Sequence, residues 1–84
     1  MMEYRKFVEE LMAEIKEETG LKAEFHEADE KMPQDGIWVY MREDDGGSNI
    51  VRLFTAESYN QWTQRKTTFT AIVRGVKKSV ENFD

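Results

Sequence analysis

Apolar residues in the first twenty positions recur at helical intervals. Tyr4, Phe7, Val8, Leu11, Met12 and Ile15 are spaced i, i+3, i+4, i+7, i+8 and i+11, which is one stripe of an α-helix. Glu9, Glu10, Glu14, Lys16, Glu17 and Glu18 fill the intervening positions and form its outer face. Gly20 follows Thr19 where a left-handed C-terminal cap is needed, and Leu21 is placed to fold back on the last turn. The spacing predicts a helix over 3–19.

The period then changes to two. Over 21–28, Leu21, Ala23 and Phe25 alternate with Lys22, Glu24 and His26. A polar connection over 29–36 holds the only proline, Pro33. Over 37–42, Ile37, Val39 and Met41 alternate with Trp38, Tyr40 and Arg42, a pattern rich in strand-forming residues. Asp44, Asp45, Gly46 and Gly47 then read as a tight turn, because glycine supplies the positive φ that hairpins need. Residues 49–54 return antiparallel, with Val51 and Leu53 on one face and Ile50, Arg52 and Phe54 on the other.

Helical spacing resumes after that. Thr55 is placed to cap a short turn over 56–62 that carries Tyr59 and Trp62, and Thr67 or Thr68 to cap a longer helix reaching about residue 81. Phe69, Ile72, Val73, Val76 and Val80 form its stripe, with Phe83 just beyond. Gly75 in mid-helix costs about 1 kcal/mol relative to alanine and is read as the mark of a close helix–sheet contact. The expected architecture is α+β, in the order α-β-β-β-(short α)-α: one domain over 1–84, with helices packed on a three-stranded antiparallel sheet. Ile37, Val39, Met41, Val51 and Leu53 make the core face. The opposite face is itself rich in large groups, Trp38, Tyr40, Ile50 and Phe54, so either the last helix covers it or it stands open.

Charge sharpens this picture. Residues 1–47 hold 14 Asp and Glu against 6 Lys and Arg, a net of −8; residues 48–84 hold 3 against 6, a net of +3, which together give the −5 of the whole chain. Hydrophobic residues are 39% of the chain and aromatic residues 12%, enough for a core in 84 residues. With no cysteine, neither a disulfide framework nor a thiolate metal site can form. No apolar run approaches the roughly 18 residues of a membrane span, and the first residues lack the apolar stretch of a signal peptide. The expected location is the cytoplasm.

Catalytic chemistry finds few candidates. His26 is the only histidine and lies among glutamates on a strand; no elbow-type glycine motif surrounds Ser48, Ser58 or Ser79. Glu24, Glu27, Asp29 and Glu30 cluster, as do Asp44 and Asp45, but hydrolytic carboxylate pairs need a concave, partly desolvated cleft. Lys31 and Pro33 occupy positions that a calcium loop starting at Asp29 would fill with oxygen ligands. The expectation is therefore no enzyme, no metal and no cofactor. The element order is similar to that of double-stranded-RNA-binding domains, which grip phosphates with a lysine cluster at the start of the last helix. Here that position reads Arg65, Lys66, Thr67, Thr68, and a chain of net −5 is poorly suited to phosphate contacts, so direct nucleic-acid binding is not expected.

The acidity fits the opposite role. Small size, high acidity and the absence of catalytic residues resemble phage-encoded counter-defence proteins, including anti-CRISPR inhibitors. The resemblance lies in overall character across the chain and carries no motif. It implies a protein partner with a basic nucleic-acid-binding surface, occupied by a mimic of the nucleic acid with fast, salt-sensitive association. Glu24, Glu27, Asp29, Glu30, Asp44 and Asp45 are the acidic candidates for that contact, with Trp38 and Tyr40 as aromatic anchors. The competing reading is a solvated acidic surface that serves solubility alone. The alternative function is a small interaction module or homodimer using the Trp38 and Tyr40 sheet face.

Overall fold

A computed structural model describes residues 2–42 and 49–83. It contains α1 (Tyr4–Thr19), β1 (Lys22–His26), β2 (Gly36–Tyr40), β3 (Ile50–Phe54), α2 (Thr55–Thr63) and α3 (Phe69–Glu81). The strands form one antiparallel sheet in the order β1-β2-β3. The fold is thus α+β, with helices against a three-stranded open sheet. The turn expected at Asp44 to Gly47 lies outside the described residues.

Both long helices cover the same side of the sheet. Phe7, Val8, Leu11 and Ile15 from α1 and Ile72, Val73 and Val76 from α3 share one core with Ala23, Ile37 and Val39. The register makes this face continuous, pairing Ala23 with Val39 and Val39 with Val51, and Phe25 with Ile37 and Ile37 with Leu53. Met41, expected on this face, lies past the end of β2 and is half-buried. Tyr59 and Trp62 of α2 pack on the core through Phe7, at ring-centroid distances of 5.2 and 5.0 Å. Trp38 and Tyr40 point the other way.

The helix ends follow the sequence in part. Gly20 adopts φ +70° and its N–H closes on the Lys16 carbonyl, the left-handed cap expected there. Thr68 accepts a hydrogen bond from the Ala71 N–H and starts α3. Thr55 does not cap α2: it is the first residue of that helix and fully buried, with its hydroxyl 2.7 Å from the Tyr4 hydroxyl.

Gly75 also departs from expectation. It is exposed, and a Cβ built there meets nothing within 4 Å, so no close helix–sheet contact requires glycine. What remains is the entropic cost of glycine in a helix interior. Gly75→Ala should therefore stabilise the fold by about 1 kcal/mol in urea unfolding; a destabilised variant would show that the position is constrained.

One polar network crosses the fold. The Tyr4 hydroxyl donates to Asp35 Oδ2 at 2.8 Å and, having spent its proton, accepts from Thr55. Asp35 Oδ1 accepts the Ala28 N–H, and the Asp35 carbonyl accepts the Thr55 N–H. This ties α1 to the β1–β2 connection and to the start of α2. Burial first, and Asp35 beside it, push the Tyr4 phenol from its ordinary 10.0 up to about 12, while the bond from Thr55 pulls it down. A phenol whose folded value is raised favours folding fully below the unfolded value and loses that contribution as pH climbs through the folded one. Stability should thus fall between pH 10 and 12, and by less in Tyr4→Phe, as checked by urea unfolding of both proteins across that range.

Candidate functional site

Two surfaces carry the residues singled out in the sequence. The first is the sheet face turned away from the helices. Alternation in β1 sends Lys22, Glu24 and His26 outward, and β2 and β3 present Trp38, Tyr40, Ile50, Arg52 and Phe54 beside them. The register sets these in three rows across the strands: Lys22, Tyr40, Ile50; then Glu24, Trp38, Arg52; then His26, Gly36, Phe54. Among the described residues, no helix residue of the core reaches this side, and Phe54 is 37% exposed. The open alternative posed by the sequence is the one realised.

Trp38 organises this face. Its indole stacks on the His26 ring at 3.8 Å and 19°, and the Arg52 guanidinium lies over it at 5.1 Å, so β1 and β3 flank it from either side. At Gly36, the neighbouring β2 position on this face, an added Cβ would meet two indole atoms at an ordinary 3.7 Å and the Leu53 carbonyl at a tight 3.3 Å. Tyr40 hydrogen-bonds to Glu24 and lies 3.3 Å from His26 Nε2. Burial, and then that bond, raise the Tyr40 phenol, whereas the same bond is the main cause holding the Glu24 carboxyl below its ordinary value. Lys22 at 4.0 Å and His26 at 3.9 Å complete the surroundings of Glu24. His26 is thus half-buried in an aromatic stack, more enclosed than a plain solvent-facing histidine.

The second surface is a groove of about 460 Å³ between α1 and the start of the β1–β2 connection. Val8, Met12 and Phe25 give it an apolar floor, and Glu9 and Glu27 stand on its sides, with Tyr4, Arg5 and Asp35 at one end. Glu27 continues the inward alternation of β1 and so joins Phe25, away from Glu24. Asp29 and Glu30 follow on the exposed connection. Among the described residues, no cation lies within ion-pair distance of Glu9, Glu27 or Glu30. Asp29 has a local task as well: its Oδ1 accepts the N–H groups of Lys31 and Met32 at 2.9 and 2.7 Å, which closes the turn.

The structure therefore separates the sequence candidates into two sets. Glu24, Trp38 and Tyr40 meet on the open face; Glu27 lines the groove, with Asp29 and Glu30 on the connection that follows it; Asp44 and Asp45 lie outside the described residues. Part of the acidity of α1 is answered internally, since Lys77 of α3 reaches Glu18 at 3.5 Å. Asp35 escaped the sequence reading because its partners lie 31 and 20 positions away, and nothing local marks it. Among the described residues, no three His, Asp or Glu side chains are placed to hold a metal ion, and no helix is long and apolar enough to cross a membrane. Comparison with protein-family models, curated proteins and solved structures finds no match to this chain.

Proposed function

We propose that this chain is a non-catalytic binding protein that docks its acidic groove on the basic, nucleic-acid-binding surface of a protein partner. The observation that carries the reading is the groove itself, where Glu9 and Glu27 flank an apolar floor of Val8, Met12 and Phe25 and, among the described residues, no cation is paired to either carboxylate. Lysine and arginine suit such a site, because their methylene stems pack on apolar surface while the charged head meets a carboxylate. Nucleic-acid-binding surfaces are clusters of these residues. Asp29 and Glu30 beside the groove extend the negative field, which speeds encounter with a cationic partner and makes it salt-sensitive. The role is that of an inhibitor competing with nucleic acid, as in the anti-CRISPR-like proteins that the chain resembles in size and acidity.

The test is affinity capture on the immobilised full chain at low and high salt, beside an equally acidic control protein and the triple reversal Glu27→Lys, Asp29→Lys, Glu30→Lys. The expected result is enrichment of a nucleic-acid-binding protein that the control does not retain, lost at high salt and in the reversed variant. Capture indifferent to the reversal, or matched by the control, would overturn the reading.

A further inference from the structure

The open sheet face has a property beyond being uncovered: its charges are arranged to complement a second copy of themselves. Its central row runs Glu24, Trp38, Arg52, with the anion on one edge strand, the cation on the other and the indole between. Glu24 and Arg52 are both exposed. Among the described residues no carboxylate lies within ion-pair distance of Arg52, whose guanidinium rests on the Trp38 ring instead.

We propose that two copies of the chain pair face to face through this surface, about a two-fold axis running along β2. The axis direction follows from the charges. A two-fold along the strands lays β1 of one copy over β3 of the other without shifting position along the strand. Glu24 then faces Arg52 of the second copy, Arg52 faces its Glu24, and the two Trp38 rings meet at the axis. A two-fold running across the strands would instead set Glu24 on Glu24 and Arg52 on Arg52, which like-charge repulsion disfavours. Aligned sheets cross at about 30°, so register holds best near the axis, where the central row lies.

Size sets the strength. Three strands of five residues span roughly 17 Å by 14 Å, a few hundred Å² per copy. That falls short of the roughly 800 Å² per partner of a standard interface, so the pairing is weak and reversible. It uses the opposite side of the sheet from the acidic groove and stands independently of the function proposed there; reversal of Glu27, Asp29 and Glu30 leaves it intact.

Sedimentation equilibrium of the full chain at low salt, from about 10 μM to about 1 mM, tests it. The weight-average mass should rise from one chain towards two. Glu24→Arg or Arg52→Glu alone should weaken association by roughly tenfold or more, because the two-fold converts two attractive pairs into repulsive ones. The double variant should recover it, since each pair again joins opposite charges. In the unsubstituted protein, amide signals that move on dilution should cluster around Trp38, a readout that survives if a variant fails to fold. A single-chain mass throughout, association indifferent to both reversals, failure of the double variant to recover, or dilution shifts centred on α1 would each overturn the proposal.

Discussion

Phe7→Ala should destabilise the protein by about 3–5 kcal/mol, lowering the melting temperature by roughly 15–30 °C or abolishing a cooperative transition. Phe7 is fully buried and central to the aromatic cluster: Tyr59 lies 5.2 Å away, Trp62 5.0 Å and Phe69 6.0 Å. Those rings come from α2 and the start of α3, so one side chain of α1 holds the C-terminal helices to the N-terminal one. Truncation removes the transfer free energy of the ring and leaves a cavity bounded by rigid neighbours that collapse poorly. A domain of this length has a total stability of about 4–13 kcal/mol, so the loss is about a quarter of it or more. Thermal unfolding followed by near-UV circular dichroism, which reports the packed aromatics, measures it. A drop of under about 1 kcal/mol would show that α2 does not depend on this contact.

Asp35→Ala should cost about 2 kcal/mol, with about half of the loss tied to Tyr4. The Asp35 carboxylate accepts two bonds, from the Tyr4 hydroxyl and the Ala28 N–H, each at 2.8 Å. Hydrogen bonds to an ionised acceptor contribute about 1.5–3 kcal/mol, and a donor left without an acceptor in a part-buried site adds to the loss. Asp35→Asn should cost less, because its amide oxygen still serves Ala28 while its amide nitrogen cannot accept the Tyr4 proton. The decisive measurement is a double-mutant cycle in urea. In a Tyr4→Phe background the cost of Asp35→Ala should shrink by about 1 kcal/mol, whereas simple additivity would mean that the two groups act separately.

These two residues also mark where sequence reading succeeds and where it stops. Phe7 is legible at once, since it stands in a stripe of period 3.6 and such a stripe has to be buried. The same reasoning finds Ile72, Val73 and Val76 on α3. The alternation of Ile37 and Val39 with Trp38 and Tyr40 likewise reveals a strand. Asp35 is different, because one more acid in a polar connection carries no local sign of the hydroxyls it will meet from α1 and α2. Thr55 shows the same limit: beside a helix start, its hydroxyl reads as a cap, yet in the fold it faces Tyr4 across 51 residues.

The candidate surfaces divide along that line as well. The acidic character of residues 1–47, the aromatic residues of β2 and the order of elements are local facts of composition and period, and the amino-acid order determines them alone. Which carboxylates act together is a matter of placement. Glu24 and Glu27 are three residues apart, yet the pleat sends one to the open face and the other to the groove, while Glu9 reaches that groove from a separate helix. Both faces of β2 are apolar enough to be a core, so periodicity has no means of choosing between them. The choice falls to packing: α1 and α3 bury their stripes on Ala23, Ile37 and Val39, whose compact side chains admit two helices side by side, and the bulkier Trp38 and Tyr40 are left outside.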